Sequence, residues 1–404
     1  MSPRSTRWPA RRLSHERRRA FAGVLLARAL LAGAVACGVS AAAQHIVPDP
    51  PQVAARGYVL MDADTLDVLA ESNADERLPP ASLTKIMTSY VAASELEAGR
   101  IDLADSVPIS VNAWRTPGSR TFLRDGTEVG LADLLRGIII QSGNDASVAV
   151  AEYIAGAEDA FADMMNSHGE SIGLTNSHFT NATGLPSEAQ YSTAKDMALI
   201  ARALIRRYPE HYAIYSERAF EYNGIEQPNR NRLLWRDRTV DGVKTGHTDA
   251  AGYCLVASAE RDGMRLISVV MGAESDGIRM RESQKLLAYG FRYFETRELY
   301  DPDTPLKVSE VWYGESDTVS MGVSESVVVT IPRGRYDDLE ATMDLPRAIE
   351  APVTVGQELG ELRVSLDDRL VVRTPLVARE AVAEAGFFSR FFEGIAIFFR
   401  ELVT

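Results

Sequence analysis

A serine and a lysine stand three residues apart, at Ser82 and Lys85, at the start of a helix predicted from residue 84 to 97. Residues three apart share one helix face, so the Lys85 amine can reach the Ser82 hydroxyl. A serine is a weak nucleophile unless a base accepts its proton, and lysine can be that base when desolvated or beside another cation. The pair indicates nucleophilic catalysis, although a solvated helix start is the simpler interpretation of so short a motif alone.

A second motif, Ser142-Gly143-Asn144, lies between helices predicted at residues 131 to about 140 and 146 to about 155. Gly143 permits an unusual backbone angle and close approach of a ligand, while Ser142 and Asn144 can aim an oxygen and an amide into one cleft. A helix C-cap followed by an N-cap favours the same residue types. Both interpretations stay open for the motif alone.

A third motif, Lys244-Thr245-Gly246, falls on a predicted edge strand. There Lys244 can face a cleft as a cation, Thr245 can donate its hydroxyl, and Gly246 leaves room for an extended peptide along the strand. A plain strand end with a turn glycine is the alternative. Residues 252–257 and 265–271 are predicted to be neighbouring strands.

The order of the three motifs is more specific than any one of them. Ser192 and Lys195 repeat the first spacing, and Ser110 and Asn112 repeat the second, so chance matches occur in this chain. Only the three motifs above follow each other in the order used by penicillin-binding proteins and serine β-lactamases.

The chain therefore resembles the low-molecular-mass penicillin-binding proteins that act as D-alanyl-D-alanine carboxypeptidases and carry an additional C-terminal β-domain. The residues that carry the resemblance are Ala81-Ser82-Leu83-Thr84-Lys85, Ser142-Gly143-Asn144-Asp145-Ala146, Asn229-Arg230-Asn231 with Leu233-Leu234-Trp235, and Asp241-Gly242-Val243-Lys244-Thr245-Gly246-His247-Thr248. The resemblance implies an α/β domain of the β-lactamase/transpeptidase type, with a five-stranded antiparallel sheet covered by helices. It also implies a substrate, the peptidoglycan stem peptide ending in D-Ala-D-Ala, and β-lactams as inhibitors.

The resemblance further implies a catalytic role for five residues. Neutral Lys85 takes the proton of Ser82, which attacks the carbonyl between two D-alanines and forms an acyl-enzyme that water cleaves. Ser142 relays a proton to the leaving amine. Asn144 orients the substrate amide and holds Lys85, whose pKa is depressed by Lys244.

Substrate-binding roles follow from the same resemblance. Thr245, with Lys244, attracts the terminal carboxylate, and Arg230 serves that carboxylate too. The backbone N–H groups of Ser82 and His247 form the oxyanion hole, next to Gly246.

Other functions fit the sequence less well. A serine β-lactamase needs a deacylating glutamate in a Glu-x-x-Leu-Asn loop, and the nearest stretch, residues 226–229, does not match it. A Ser-His-Asp triad through His247 and Asp196 would call for Gly-x-Ser-x-Gly around Ser82. A catalytically silent wall-binding protein remains a further alternative. The histidines show no metal-ligand spacing, so neither a metal nor a cofactor is expected.

Charge and length limit the partners and the domain count. The net charge of −13 and the absence of a basic stripe argue against a nucleic-acid partner. A chain of 404 residues is long for one core. We predict a catalytic domain at 44–298 and a Val-rich β-sandwich at 299–380, between two terminal segments.

The N-terminal segment, 1–43, has a basic run, an apolar stretch and three alanines that precede Gln44, as secretory signals do. We expect cleavage after Ala43, with an uncleaved membrane anchor as the alternative. Cleavage would remove Cys37 and leave Cys254 without a partner for an intramolecular disulfide.

The C-terminal segment, 381–404, is predicted to form an amphipathic helix that lies on a membrane surface. Charged residues occupy its other face, and docking on another subunit is the alternative. The apolar face consists of Phe387, Phe388, Phe391, Phe392, Ile395, Phe398, Phe399 and Leu402. With the export signal, this predicts a periplasmic enzyme attached peripherally to the outer face of the cytoplasmic membrane.

Overall fold

The structure is a computed structural model that describes residues 47–387. The predicted signal segment and residues 388–404 of the predicted C-terminal helix lie outside the described residues. The helices of the described part are α1 (Thr84–Glu97), α2 (Val111–Arg115), α3 (Leu131–Arg136), α4 (Asn144–Ala155), α5 (Glu158–Ile172), α6 (Ala194–Arg207), α7 (Pro209–Tyr212), α8 (Leu233–Arg236) and α9 (Asp276–Tyr293).

The strands of the first part of the chain are β1 (Gly57–Asp62), β2 (Val68–Ser72), β3 (Ser106–Pro108), β4 (Glu128–Gly130), β5 (Ala219–Tyr222), β6 (Ile225–Pro228), β7 (Val240–Thr248), β8 (Gly252–Arg261) and β9 (Met264–Ala273). The later strands are β10 (Phe294–Tyr300), β11 (Lys307–Trp312), β12 (Thr318–Gly322), β13 (Val327–Pro332), β14 (Leu339–Asp344), β15 (Ile349–Glu350), β16 (Glu358–Leu366) and β17 (Arg369–Ala378).

A five-stranded sheet in the order β2-β1-β9-β8-β7 forms the centre of the catalytic domain. All of its strand pairs are antiparallel. Successive side chains of a strand point to opposite faces. In β1, Tyr58 and Leu60 accordingly pack into the core that contains α9, whereas Val59 and Met61 pack into the core that contains α1 and α6. The predicted helix-covered antiparallel sheet is confirmed.

Helix α1 lies in the middle of the larger core. It spans Thr84–Glu97 as predicted, and its apolar residues Ile86, Met87, Tyr90 and Val91 are fully buried. Polar residues of the same helix are buried as well, including Lys85 at 0% exposure. A helix buried on all sides is surrounded by protein rather than water, so the desolvation of Lys85 follows from the position of its helix.

The helix predicted at 131 to about 140 differs in its last turn. Regular helix ends at Arg136, and the chain continues as a π-helical turn over Gly137–Gln141. The backbone N–H of Gly143 donates to the carbonyl of Gly137 at 2.9 Å, which closes this wide turn. Single π-helical turns redirect a chain locally, and this one leads directly into the second motif.

The C-terminal part is an all-β domain, as predicted. Six strands form a sheet in the order β14-β16-β17-β12-β11-β15, and β10 pairs with β13. Only β11 and β15 run parallel among the described pairs. Alternating apolar residues such as Val327, Val329, Leu362 and Val364 supply buried side chains.

A hydrogen-bonded junction joins the two domains. The carboxylate of Asp62, fully buried at the end of β1, accepts a hydrogen bond from the Thr296 hydroxyl of β10 at 2.6 Å. The hydroxyl groups of Thr65 and Thr330 lie 2.8 Å apart beside it. Buried carboxylates in proteins are normally hydrogen-bonded. Here one of the donors to Asp62 comes from β10, so the β1–β2 hairpin and the β-domain are held together by these contacts.

Candidate active site

Ser82 and Lys85 are brought together where a short 3-10 turn, Ala81–Leu83, runs into α1. The Nζ atom of Lys85 lies 3.3 Å from the Oγ atom of Ser82. Lys85 is fully buried, whereas Ser82 is half-buried. A base within hydrogen-bond reach of a hydroxyl that a substrate can approach is the arrangement needed for an activated nucleophile.

Two further acceptors fix the Lys85 amine. Its Nζ atom donates to Asn144 Oδ1 at 2.7 Å and to the carbonyl oxygen of Thr183 at 2.5 Å. A neutral amine has two N–H donors and one lone pair. The donors are matched by Asn144 and Thr183, so the lone pair is left for the proton of Ser82.

The surroundings of Lys85 favour this neutral form. Burial, together with repulsion from Arg230, lowers the pKa of Lys85 to about 7 against the opposing effects of Asp145 and Glu158. Burial also holds the pKa of Lys244 well below its usual range, and repulsion from Lys85 adds to the effect. Since repulsion between two ammonium groups is mutual, a proton on one of the two lysines disfavours a proton on the other.

The Ser142-Gly143-Asn144 turn joins the π-helical turn to α4, but its unusual backbone angle is not at the glycine. Ser142 has the left-handed conformation, with φ +67°, whereas Gly143 has an ordinary φ of −61°. The glycine is needed for space, because a Cβ atom there would lie 2.1 Å from Thr121 Oγ1. The expectation of an unusual angle at Gly143 is therefore wrong, and the close approach is made by Thr121.

The Ser142 hydroxyl is buried, and its Oγ atom has no hydrogen-bond partner in the part of the chain that the structure describes. Buried hydroxyl groups in proteins are normally hydrogen-bonded. This orphaned hydroxyl, two residues before the Asn144 side chain that binds Lys85, is thus available to a substrate atom.

Asn144 is held on both sides of its amide. Its Oδ1 atom accepts from Lys85, and its Nδ2 atom donates to the carbonyl of Pro117 at 2.6 Å. The backbone N–H of Asn144 donates to Ser119 at 2.7 Å. Gly118 makes room for this contact, since a Cβ atom there would lie 2.6 Å from Asn144 Nδ2.

Asp145 orders the same loop, and our prediction gave it no role. Its buried carboxylate accepts the backbone N–H groups of Thr121 at 2.8 Å, Phe122 at 3.0 Å and Leu123 at 3.2 Å. These bonds fix the loop that positions Asn144. Nothing in the local sequence indicates that Asp145 binds a segment more than twenty residues earlier.

The loop over residues 181–184 is a second feature missed from the sequence. Asn181 Oδ1 accepts from the backbone N–H groups of Thr183 at 3.1 Å and Gly184 at 2.8 Å, a turn typical of asparagine. Gly184 has φ +83°, and a Cβ atom there would lie 1.8 Å from the carbonyl oxygen of Ala81. The turn could be predicted locally, but not that its carbonyl group binds Lys85.

Strand β7 carries the third motif and is the last strand of its sheet, as predicted. Lys244 and Thr245 are buried. A Cβ atom at Gly246 would lie 3.2 Å from the backbone nitrogen of Ser82. The glycine therefore lets the strand pack against the turn Ala81–Leu83, which carries the candidate nucleophile and is called the nucleophile turn below. His247 is exposed, with its ring centroid 4.0 Å from that of Tyr253.

Arg230 adjoins the Ser142 turn from another segment. Its Nε atom donates to the carbonyl of Gln141 at 2.9 Å. The side chain is exposed and lines a cleft of about 900 Å³ together with His247. All nine predicted site residues therefore lie on segments that meet around Ser82.

The Ser-His-Asp alternative has no support in this geometry. Asp196 accepts from the Ser177 hydroxyl at 2.7 Å and from the backbone N–H of Asn176 at 2.9 Å. His247 packs on Tyr253 instead. Within residues 47–387 no group of three or more histidines, cysteines or carboxylates is placed to hold a metal ion, and no helix has the length and apolar character to cross a membrane.

Comparisons with known proteins point to one family. The D-alanyl-D-alanine carboxypeptidase family model matches residues 44–275, and the model for the C-terminal domain of penicillin-binding protein 5 matches residues 294–384. The D-alanyl-D-alanine carboxypeptidase DacC of Escherichia coli (strain K12) is 47% identical over 361 residues, which cover 87% of this chain and 90% of the relative.

Solved structures agree with this assignment. Penicillin-binding protein 5 from Haemophilus influenzae superposes with a TM-score of 0.80 at 43% identity, covering 83% of this chain and 100% of that one. Penicillin-binding protein D2 from Listeria monocytogenes in its ampicillin-bound form gives 0.56 at 28% identity, covering 60% and 100%. The chain belongs to the D-alanyl-D-alanine carboxypeptidase family of serine peptidases.

Proposed function

We propose that this serine D-Ala-D-Ala carboxypeptidase uses Ser82 as its nucleophile and Lys85 as the base that activates it. The observation that carries the proposal is the 3.3 Å contact between Ser82 Oγ and the amine of a fully buried lysine. Lys85 takes the hydroxyl proton while Oγ bonds to the carbonyl carbon between two D-alanines. The C–N bond then breaks, and water cleaves the resulting ester to regenerate Ser82.

Ser142 is the group proposed to pass a proton to the leaving amine. Its hydroxyl is buried and without a partner among the described residues. An oxygen in that state can accept from Lys85 and donate to the departing nitrogen once substrate is bound. Asn144, fixed by Lys85 and Pro117, is proposed to orient the substrate amide with its second N–H.

Lys244, Thr245 and Arg230 are proposed to bind the terminal carboxylate of the substrate. Lys244 is buried without a carboxylate partner among the described residues, which is costly for a cation until an anion arrives. A bound carboxylate favours the proton on Lys244, and the mutual repulsion then favours neutral Lys85. Substrate binding would thus help to create the base.

The oxyanion hole is proposed to consist of the backbone N–H groups of Ser82 and His247. The close packing of Gly246 against the Ser82 nitrogen supports this, because it places the nucleophile turn beside the end of β7. Two N–H groups aimed at one oxygen stabilise the charge that develops during acyl transfer.

The substrate proposed for this chain is the peptidoglycan stem peptide that ends in D-Ala-D-Ala, and penicillins are proposed to acylate Ser82. The names of the relatives and the ampicillin-bound structure of a neighbour support both proposals. A Ser82→Ala variant should release no D-alanine from such a peptide and should not be labelled by a fluorescent penicillin. Full labelling of this variant would refute the assignment, and penicillin turnover faster than D-alanine release would favour a β-lactamase.

Export to the periplasm and attachment to the membrane surface are proposed from the terminal sequences. The first 43 residues have the composition of a secretory signal, and residues 384–404 have an aromatic apolar stripe opposite charged residues. Deleting the residues after Glu384 should release the enzyme from membranes and leave D-alanine release intact. Unchanged membrane retention would count against the anchor, and a mature protein that begins at Met1 would count against cleavage.

A further inference from the structure

The cleft of about 900 Å³ beside the nucleophile turn is larger than the known leaving group needs. Gln141, which directly precedes Ser142 in the chain, lines this cleft. His247, which directly follows Gly246, lines it as well. Arg230 lines it too, and in the function proposed above Arg230 binds the terminal carboxylate, so the cleft lies on the leaving-group side. Clefts of this volume accommodate drug-sized ligands, whereas a single D-alanine is much smaller.

The lining of the cleft is strongly cationic although the chain as a whole carries a net charge of −13. Four guanidinium groups, those of Arg230, Arg232, Arg236 and Arg279, face a single carboxylate, Asp276. Arg279 lies 2.5 Å and Arg232 3.5 Å from that carboxylate. Arg230 and Arg236 have no carboxylate partner within residues 47–387. The lining therefore carries enough excess positive charge to bind more than one anionic group.

Helix α8 places the additional cations together. Arg232 precedes this helix and Arg236 is its last residue, so the two lie four positions apart on one face. Trp235 lies beside them in the same lining and is 47% exposed. An exposed indole next to these guanidinium groups offers an apolar wall for the aliphatic part of an acidic side chain.

We propose that this cleft is a subsite for the leaving residue and accepts a D-amino acid with a second carboxylate on its side chain, D-glutamate being the simplest. The α-carboxylate binds at Arg230, and the side-chain carboxylate extends toward Arg236 and Arg232. The chemistry is the same hydrolysis: the bond between the D-alanine carbonyl and the nitrogen of the leaving residue breaks, water supplies the new carboxylate oxygen, and the amine leaves with a proton. This inference rests on the proposed function.

The test compares two peptides of nearly equal shape, N-acyl-D-Ala-D-Glu and N-acyl-D-Ala-D-Gln, by the release of the terminal residue. At low ionic strength kcat/KM should be about fivefold higher for the D-Glu peptide, as expected for an ion pair open to solvent. Added salt should reduce this preference. In an Arg236→Gln variant the ratio of kcat/KM for the D-Glu peptide to that for the D-Gln peptide should fall toward one. Because both values are measured on the same variant, any general loss of activity cancels.

The matched control is Arg238→Gln, which removes an exposed arginine outside the cleft lining and should leave both the ratio and D-alanine release unchanged. A wild-type ratio of one or below, or a ratio that Arg236→Gln does not change, would overturn the subsite. N-acyl-D-Ala-D-Ala is measured in parallel. D-alanine release without a D-Glu preference refutes the subsite alone, whereas no D-alanine release refutes the proposed function.

Discussion

Lys85, the residue proposed as the base, has a low pKa because of where it lies in the fold. Its helix is surrounded by core, its three hydrogen-bond partners are neutral, and Arg230 adds positive potential. An ammonium group in such a place is penalised by desolvation, so the uncharged amine becomes accessible near neutral pH. Asp145 and Glu158 oppose the shift, and burial outweighs them.

The pH profile of kcat/KM tests this account of Lys85. A pKa of about 7 for a base that must be neutral predicts an acidic limb near pH 7, with activity rising as the pH rises through it. Below this limb the rate should fall about tenfold per pH unit. Replacing Arg230 by Gln removes a repulsive cation, so the limb should move to higher pH. A profile that is flat from about pH 5.5 to 8.5, or a limb that moves to lower pH in the variant, would contradict it.

A Ser142→Ala variant distinguishes a catalytic role of the Ser142 hydroxyl from a structural one. Since its Oγ atom has no protein partner among the described residues, a Ser142→Ala variant loses no native hydrogen bond and should change the free energy of unfolding by less than about 1 kcal/mol. Loss of a proton relay should lower kcat about 100-fold or more. Urea unfolding and D-alanine release measure the two effects. Large destabilisation with normal turnover would show that the hydroxyl has a structural role and would contradict the proton relay.

At the scale of elements, the site depends on two loops that supply no nucleophile and no base. The loop before Leu123 holds the Asn144 amide through Pro117 and is itself fixed by Asp145. The loop ending at Gly184 brings the Thr183 carbonyl to Lys85. Both are held by side chain to backbone hydrogen bonds, which make loop positions as definite as those of helices.

A pair of glycine substitutions tests the first loop. Gly118 has φ +94° and Gly173 has φ +91°, so alanine imposes similar backbone strain at both. A Cβ atom at Gly118 would lie 2.6 Å from Asn144 Nδ2, whereas nothing lies within 4 Å of one at Gly173. Gly118→Ala should therefore slow acylation by a penicillin about tenfold or more, as expected when a positioned group is displaced.

Gly173→Ala is the matched control and should lose stability similarly while acylating at the normal rate. Equal acylation rates for the two variants would show that Asn144 does not need its bond to Pro117.

These loops also mark the limit of inference from the sequence. The elements were predictable where the hydrophobic period or the motif is local: α1, the strands β8 and β9 and the edge position of β7 agree with expectation. The π-helical turn, the left-handed Ser142 and the Thr183 carbonyl were not, because each depends on packing between segments far apart in the chain. Residue types and spacing identified the candidate nucleophile, but not what orients its base.

On the scale of the whole molecule, the β-domain is tied to the catalytic domain through Asp62. This carboxylate is fully buried and is satisfied from its own turn by the backbone N–H groups of Asp64 and Thr65, and from the β-domain by Thr296. A buried carboxylate that loses a donor is destabilised by the full cost of desolvation. The junction therefore couples the stability of the two domains.

A Thr296→Val variant removes the donor to Asp62 Oδ2 with little change in shape. We expect it to lower the free energy of unfolding by about 1 to 3 kcal/mol, measured by chemical denaturation, with D-alanine release by the folded enzyme unchanged. Thr318→Val, an exposed threonine of β12, is the control and should change stability by less than about 0.5 kcal/mol. Equal effects of the two substitutions would argue against a stabilising junction.

The most direct test of the central claim is to locate the covalent bond formed with a penicillin. After brief reaction of the wild-type enzyme, digestion and mass spectrometry should find one acyl group per chain, on the Oγ atom of Ser82. A Lys85→Arg variant, whose guanidinium stays protonated and cannot accept the serine proton, should form the same adduct far more slowly. An adduct on any other residue, or normal acylation by the Lys85→Arg variant, would contradict the account.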